Sequence, residues 1–233
     1  MPPPAEPGLQ ERILAVRERI EAAAGRAGRP GAAVRLLAVT KGQPLEVVRA
    51  AAQLGLSELG ENYVQECGAK SRALEGSVQV SWHLLGHLQR NKARLAAQLF
   101  QVVESLDGLE LAGRLSALAP LGRPLQVLLE VELTGEPART GLGEAELFLV
   151  AEAADRLPGL RIMGLMTVAS RERPEREFSR CRELAGRLEA ELGRQLPVLS
   201  MGMSSDFEAA IAEGSTEVRI GTLLFGPRSA RAG

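Results

Sequence analysis

Eight short apolar runs, set apart by longer stretches of helical spacing, leave this chain few folds to choose from. The first run, VRLLAVTK (34–41), follows a segment at 8–27 in which Leu9, Ile13, Val16 and Ile20 recur at helical intervals. The next four are LSELGEN (56–62), VSWHLLGH (80–87), LFQVVES (99–105) and LQVLLEVEL (125–133). LRIMGLMT (160–167), LPVLSMG (196–202) and STEVRIG (215–221) complete the set. Helical patterns follow the first seven. They run from Pro44 to about 54, from the second run to about 74, and across 89–97, 108–119, 143–156, 174–193 and 205–213. Several runs are apolar on both faces, as parallel strands covered on either side must be. The pattern predicts an α/β fold, a single-domain (β/α)8 TIM barrel with an extra N-terminal helix. The alternative, an open doubly wound sheet, calls for GxGxxG after the first strand, and AVTKGQP lacks it. Residues 1–7 read as a disordered Pro-rich leader, 8–228 as the barrel and 229–233 as a polar tail.

Charge and composition exclude several function classes. The chain carries 28 basic and 29 acidic residues, a net charge of -1, so nucleic acid and anionic membranes are not expected partners. No apolar run reaches bilayer length. The start, MPPPAEPG, lacks the basic region and apolar core of a signal peptide. Cys67 and Cys181 are too few for a disulfide framework, so both are read as buried thiols in a reducing cytoplasm. The lysines are only Lys41, Lys70 and Lys92; arginine supplies the remaining positive charge. A lysine at a structurally special place is therefore a candidate for chemistry that arginine cannot do.

Barrel geometry says where to look. Functional side chains gather at the C-terminal ends of the strands and in the loops that follow. Those ends carry Thr40-Lys41, Glu61-Asn62, His83 to His87, Glu104-Ser105, Met166-Thr167, Met201 to Ser205 and Arg219 to Thr222. A lysine at such a mouth, partly desolvated and near other cations, can present a neutral amine to an aldehyde and form a Schiff base. After the seventh run, Ser205 and Glu208 have capping-box spacing, with Ser204 just ahead, and a helix start there suits a phosphate. Gly221 and Thr222 end the eighth run, offering close backbone approach and a hydroxyl. Arg219 shares a strand face with Gly221 and needs a partner inside the barrel. A pyridine nitrogen, Glu61, Glu130 and Glu132 are the candidates. Together these parts describe a pyridoxal phosphate site, or a Schiff-base aldolase acting on a sugar phosphate.

Other features carry less. His83 and His87, the only histidines, would lie about 13 Å apart along a strand and cannot chelate one ion directly, so no metal is predicted. Either could border the pocket instead. Trp82 reads as packing. The charged run RERPEREFSRCREL (171–184) reads as a solvated helix face with i,i+4 pairs.

The stretches LLAVTKGQP, LGENYVQE, WHLLGHLQRNK, GLMT and LSMGMSSDFEAAIAEGSTEVRIGTLLFGPR resemble the pyridoxal phosphate homeostasis proteins. That YggS/PROSC-type family is related to the N-terminal barrel of alanine racemase. The resemblance covers about 34–228 in order; residues 42–43 depart from it, being Gly-Gln where the family often has Thr or Lys. It implies that Lys41 forms the Schiff base with pyridoxal 5'-phosphate and that Ser204, Gly221 and Thr222 bind the phosphate. It implies further that Arg219 meets the pyridine nitrogen, and that Asn62 and Met166 line the ring. It implies a cytoplasmic protein of vitamin B6 and amino-acid homeostasis without established turnover, with apoenzymes that use the cofactor as candidate partners. A racemase or decarboxylase is the enzymatic alternative. Racemization needs bases on both faces, and the sequence shows no second domain to bring the racemase tyrosine; Tyr63 is the only tyrosine. A monomer is expected for the same reason.

Overall fold

The computed structural model describes residues 8–136 and 138–226. The expected leader (1–7) and tail (229–233) lie outside the described residues. The strands are β1 (Arg35–Val39), β2 (Glu58–Glu61), β3 (Ser81–Leu84), β4 (Val102–Leu106), β5 (Leu125–Glu130), β6 (Leu160–Met166), β7 (Val198–Met203) and β8 (Glu217–Ile220). They pair in chain order and close into a barrel. The closing pair is parallel like the others, with Arg35 to Ala38 level with Glu217 to Ile220. An open sheet has two edge strands, whereas here each of the eight strands pairs on both sides, so that alternative is excluded. β4 is buried along its whole length, Glu104 and Ser105 included.

Helix α1 (Leu9–Arg26) precedes the barrel. Helices α2 (Leu45–Gln53), α3 (Val64–Leu74), α4 (Ala93–Leu99), α5 (Leu109–Leu118), α6 (Glu144–Asp155), α7 (Pro174–Leu192) and α8 (Phe207–Ala212) follow β1 to β7 in turn. A four-residue helix, α9 (Thr222–Phe225), follows β8. The sequence reading stopped at the strand, because four residues are too few to show a helical period.

The extra helix belongs to the outer ring. Ile13, Val16, Ile20, Ala23 and Ala24 form its buried stripe, and it packs on α8 and α9. Ile13, Val16 and Ile20 each contribute about 1.5–3 kcal/mol by burial. Polar contacts fix the angle: Arg12 Nε donates to Leu224 O (2.6 Å), and Arg29 reaches the carbonyls of Ile211, Gly214 and Ser215.

Two local expectations fail here. The Ser205–Glu208 capping box does not form: α8 begins at Phe207 with Asp206 as its N-cap. Asp206 Oδ1 accepts from Met203 N–H (2.6 Å), while Glu208 pairs with Arg19 of α1 (3.0 Å). The charged run at 171–184 is not laced by i,i+4 pairs. Arg180 instead joins Glu144 of α6 (2.5 Å) and Glu183 at i,i+3 (2.8 Å). Glu177 is buried and takes the Ser170 hydroxyl (2.7 Å). In each case a tertiary partner wins over a neighbour on the same helix. Trp82 is a core residue. Burial pushes both cysteine thiols up, Cys181 to about 12, as inert thiols require.

Candidate functional site

The barrel brings the seven expected site residues onto five consecutive strands, β6-β7-β8-β1-β2. Met166 ends β6, Arg219 lies within β8, and Asn62 follows β2 directly. Lys41 sits in the turn after β1, Ser204 in the turn after β7, and Gly221 and Thr222 open α9. Ser204 and α9 meet: the Leu223 N–H donates to Ser204 Oγ (3.4 Å).

The turn that carries Lys41 is specific. Gln43 N–H donates to Thr40 O (3.0 Å), placing Lys41 and Gly42 at the centre of a β-turn. Gly42 has φ +73°, and no described residue other than glycine has positive φ. That combination is a type II turn, which requires the left-handed region at its third residue. A β-branched residue avoids that region, so the Gly-Gln departure at 42–43 has a physical consequence: it permits this turn.

Arg219 points into the barrel and is 5% exposed. Its Nη1 donates to Ser200 Oγ (2.8 Å) and its Nη2 to Thr167 O (2.7 Å). None of the three glutamates weighed from the sequence is hydrogen-bonded to it. Glu61 takes Thr40 and Lys70, Glu132 takes Thr134 and Gly135, and Glu130 takes Thr140. Its acidic support comes indirectly. Ser200 Oγ donates to Glu104 Oε2 (2.6 Å), so the serine hydroxyl accepts from the arginine and is oriented by a fully buried carboxylate.

Behind Glu104 lies a polar column that the sequence did not reveal. His83 Nδ1 meets Glu104 Oε1 (2.7 Å) and its Nε2 meets Glu58 Oε2 (2.9 Å). Glu217 pairs with Arg35 (3.2 Å). His83 therefore stands beneath the mouth, as part of the support for Arg219. His87 is at the exposed rim, paired with Asp107 (2.7 Å), and Tyr63 is 63% exposed. His83, Glu104 and Glu217 have potential ligand atoms within 4.8 Å of one another. Both ring nitrogens are already engaged by carboxylates, and Glu217 pairs with Arg35, so the cluster reads as an internal polar network.

Burial alone would pull His83 down, but hydrogen bonds to Glu104 and Glu58 outweigh it and push the group up to about 10. Burial would raise Glu104, but the hydrogen bond and charge of His83, with Arg219, hold it below the ordinary carboxylate range. Burial and then the charge of Glu104 push Glu217 up to about 8. The linkage has a definite sign. A group raised in the folded state contributes stability that is complete below its unfolded pKa and is lost as pH rises through the folded one. For His83 the window runs from about 6.5 to about 10, and Glu217 acts in the same direction up to about 8. The melting temperature is therefore expected to fall steadily between pH 7 and pH 10.5, measured by scanning calorimetry. A profile flat across that window would remove the charged His83.

The family model described as "Alanine racemase, N-terminal domain" matches residues 13–229. The pyridoxal phosphate homeostasis protein of Pseudomonas aeruginosa is 46% identical over 225 residues, covering 94% of this chain and 96% of the relative. The chain belongs to the pyridoxal phosphate homeostasis family. Its Escherichia coli K12 member is 41% identical over 229 residues, with 94% and 97% of the two chains covered. A solved structure in this family, PipY of Synechococcus elongatus with PLP bound, superposes with a TM-score of 0.84 at 36% identity. That match covers 94% of this chain and all of PipY. Alanine racemase of Corynebacterium glutamicum, at 18% identity and a TM-score of 0.67, shares the fold over 62% of its length.

Proposed function

We propose that this chain binds pyridoxal 5'-phosphate at the mouth of the barrel, with Lys41 as its covalent anchor, and serves intracellular vitamin B6 and amino-acid homeostasis. The observation that carries this reading is the convergence of a lysine, a buried arginine and a Gly-Thr helix start on adjacent strands. When bound, the cofactor would supply an aldehyde with which a primary amine such as that of Lys41 can condense, one water leaving.

The chain's own residues fit such a group. Asn62 Oδ1 is buried and has no hydrogen-bond partner among the described residues, a cost of about 1–3 kcal/mol that a polar ligand can remove. Gly221 has φ -116° and a Cβ there would meet Val39 O at 3.4 Å, so the protein's own packing does not demand a glycine. The missing Cβ leaves room for a ligand to approach that backbone. Ser204, Gly221 and Thr222 would hold the phosphate, the serine and threonine through their hydroxyls and the glycine through its open backbone. Asn62 and Met166 flank the ring.

Arg219 meets the pyridine nitrogen. A guanidinium stays charged at any working pH, so it donates to that nitrogen and keeps it unprotonated. A ring so held is a poor electron sink, which favours holding the cofactor over turning over an amino acid. Two buried thiols fit a reducing cytoplasm, and no helix among the described residues is long and apolar enough to cross a membrane. A monomer that exchanges its cofactor with apoenzymes is the working form we propose.

The test is direct. The protein is loaded with pyridoxal 5'-phosphate, reduced with borohydride, digested and mapped by mass spectrometry. The expected label lies on the peptide containing Lys41. A protein that stays colourless and unlabelled overturns the assignment, and trapping of a sugar phosphate in its place supports an aldolase.

A further inference from the structure

We propose that Lys70, acting with Glu66, is a positioning residue for Lys41: the pair grips the two peptide groups that flank it. The proposal rests on Lys41 being the anchor, as read above.

Lys70 is one of three lysines in a chain that otherwise uses arginine, and it is nearly buried. Its Nζ has three acceptors: Thr40 O (2.7 Å), Glu61 Oε1 (2.7 Å) and Glu66 Oε1 (2.8 Å). An ammonium has three donors that radiate from one point and match such a set. A planar guanidinium spreads its donors over a fork and cannot bring three of them to that point. The chemistry of the position thus explains why arginine was not used.

The clamp acts on the anchor's backbone. Thr40 O belongs to the peptide before Lys41. Gly42 N–H, in the peptide after Lys41, donates to Glu66 Oε1 (2.6 Å). Lys70 and Glu66, i and i+4 on α3, are themselves paired, so one short helical face holds both peptides. Fixing both peptides fixes φ and ψ of Lys41, and with them the direction in which its side chain leaves the turn. The grip matters because the centre of the turn contains a glycine. A flip of the Lys41–Gly42 peptide would otherwise meet little steric resistance, and it would turn a carbonyl toward Glu66. Glu61 anchors the assembly from β2; it is fully buried and also takes the Thr40 hydroxyl (2.6 Å).

The experiment separates positioning from general damage by using two ligands. Pyridoxal 5'-phosphate tests covalent capture, in which Lys41 Nζ bonds to the aldehyde carbon and one water leaves. Pyridoxine 5'-phosphate has the same ring and phosphate but an alcohol in place of the aldehyde, so it reads non-covalent binding alone. Lys70→Met and Lys70→Arg are expected to slow adduct formation at Lys41 by about tenfold or more, followed by absorbance after rapid mixing. The dissociation constant for pyridoxine 5'-phosphate should stay within about twofold. Glu66→Ala, at a partly exposed helix position, should show the same split at about threefold or more, and it decides the matter if the Lys70 variants do not fold. Losses of equal size with both ligands, or unchanged adduct formation, overturn the proposal. Absence of label on Lys41 in the unmodified protein overturns the anchor itself and the clamp with it, a result distinct from either.

Discussion

Lys41→Ala is expected to abolish borohydride-stable labelling by pyridoxal 5'-phosphate while weakening, without eliminating, binding of the free ligand. The phosphate contacts proposed for Ser204, Gly221 and Thr222 and the contact proposed for Arg219 do not depend on the lysine. Losing the covalent bond should raise the dissociation constant on the order of 10–100-fold, about 1.4–2.7 kcal/mol. Lys41→Arg should also remain unlabelled, because a group with pKa above 12 offers no neutral amine. The lysine count makes the result easy to interpret. Residual label in Lys41→Ala could fall on only two other lysine side chains, Lys70 and Lys92. Lys70 Nζ is held by three acceptors and is poorly placed to react. Intact mass and peptide mapping read both outcomes, and label reappearing at full extent on another lysine would end the case for Lys41.

The barrel and the place of Lys41 were legible because both are local signals. A strand buried on two faces reads as a short apolar run, and the mouth lies at the end of each run. VRLLAVTK puts Lys41 there without any knowledge of its neighbours. Arg219 was legible in part: its inward direction follows from alternation along β8, but its partners do not. Ser200 and Thr167 reach it from other strands, at separations of 19 and 52 residues. The column below it is less visible still. Glu104 and Glu217 each sit singly inside an apolar run, where a carboxylate reads as an interruption, and only closure of the barrel brings them to His83. The failed capping box has the same origin. Ser205 and Glu208 had the right spacing, but Arg19, 189 residues away from Glu208, took the carboxylate. Lys70 could have been found. The rule that a lone lysine in an arginine-rich chain deserves a reason applied to it as much as to Lys41, but its three acceptors lie on three different elements.

Glu104→Ala should be the most damaging single change within the barrel. It removes the carboxylate that neutralises a buried imidazolium and orients Ser200 beneath Arg219. Breaking a buried pair from one side leaves the other charge short of a partner, here His83 with Glu58 alone, at a cost of up to about 3–5 kcal/mol. Urea unfolding followed by circular dichroism measures it. His83→Ala alone should also destabilise, since it leaves Glu104 buried with only Ser200 bonded to it. The double variant should cost less than the sum of the two by about 2 kcal/mol, because neither partner is then stranded. Additive losses, or a loss below about 1 kcal/mol for Glu104→Ala, would show that the column carries little energy. The ligand response distinguishes this network from the clamp on the Lys41 turn. Once Ser200 loses its acceptor, its hydroxyl is free to rotate and Arg219 loses a fixed partner on the side facing away from the ring. Pyridoxine 5'-phosphate binding should therefore weaken in Glu104→Ala, the reading that Lys70 variants leave unchanged. In the proposed site, two buried networks would thus support the two ends of one ligand, one through a backbone turn and the other through a guanidinium.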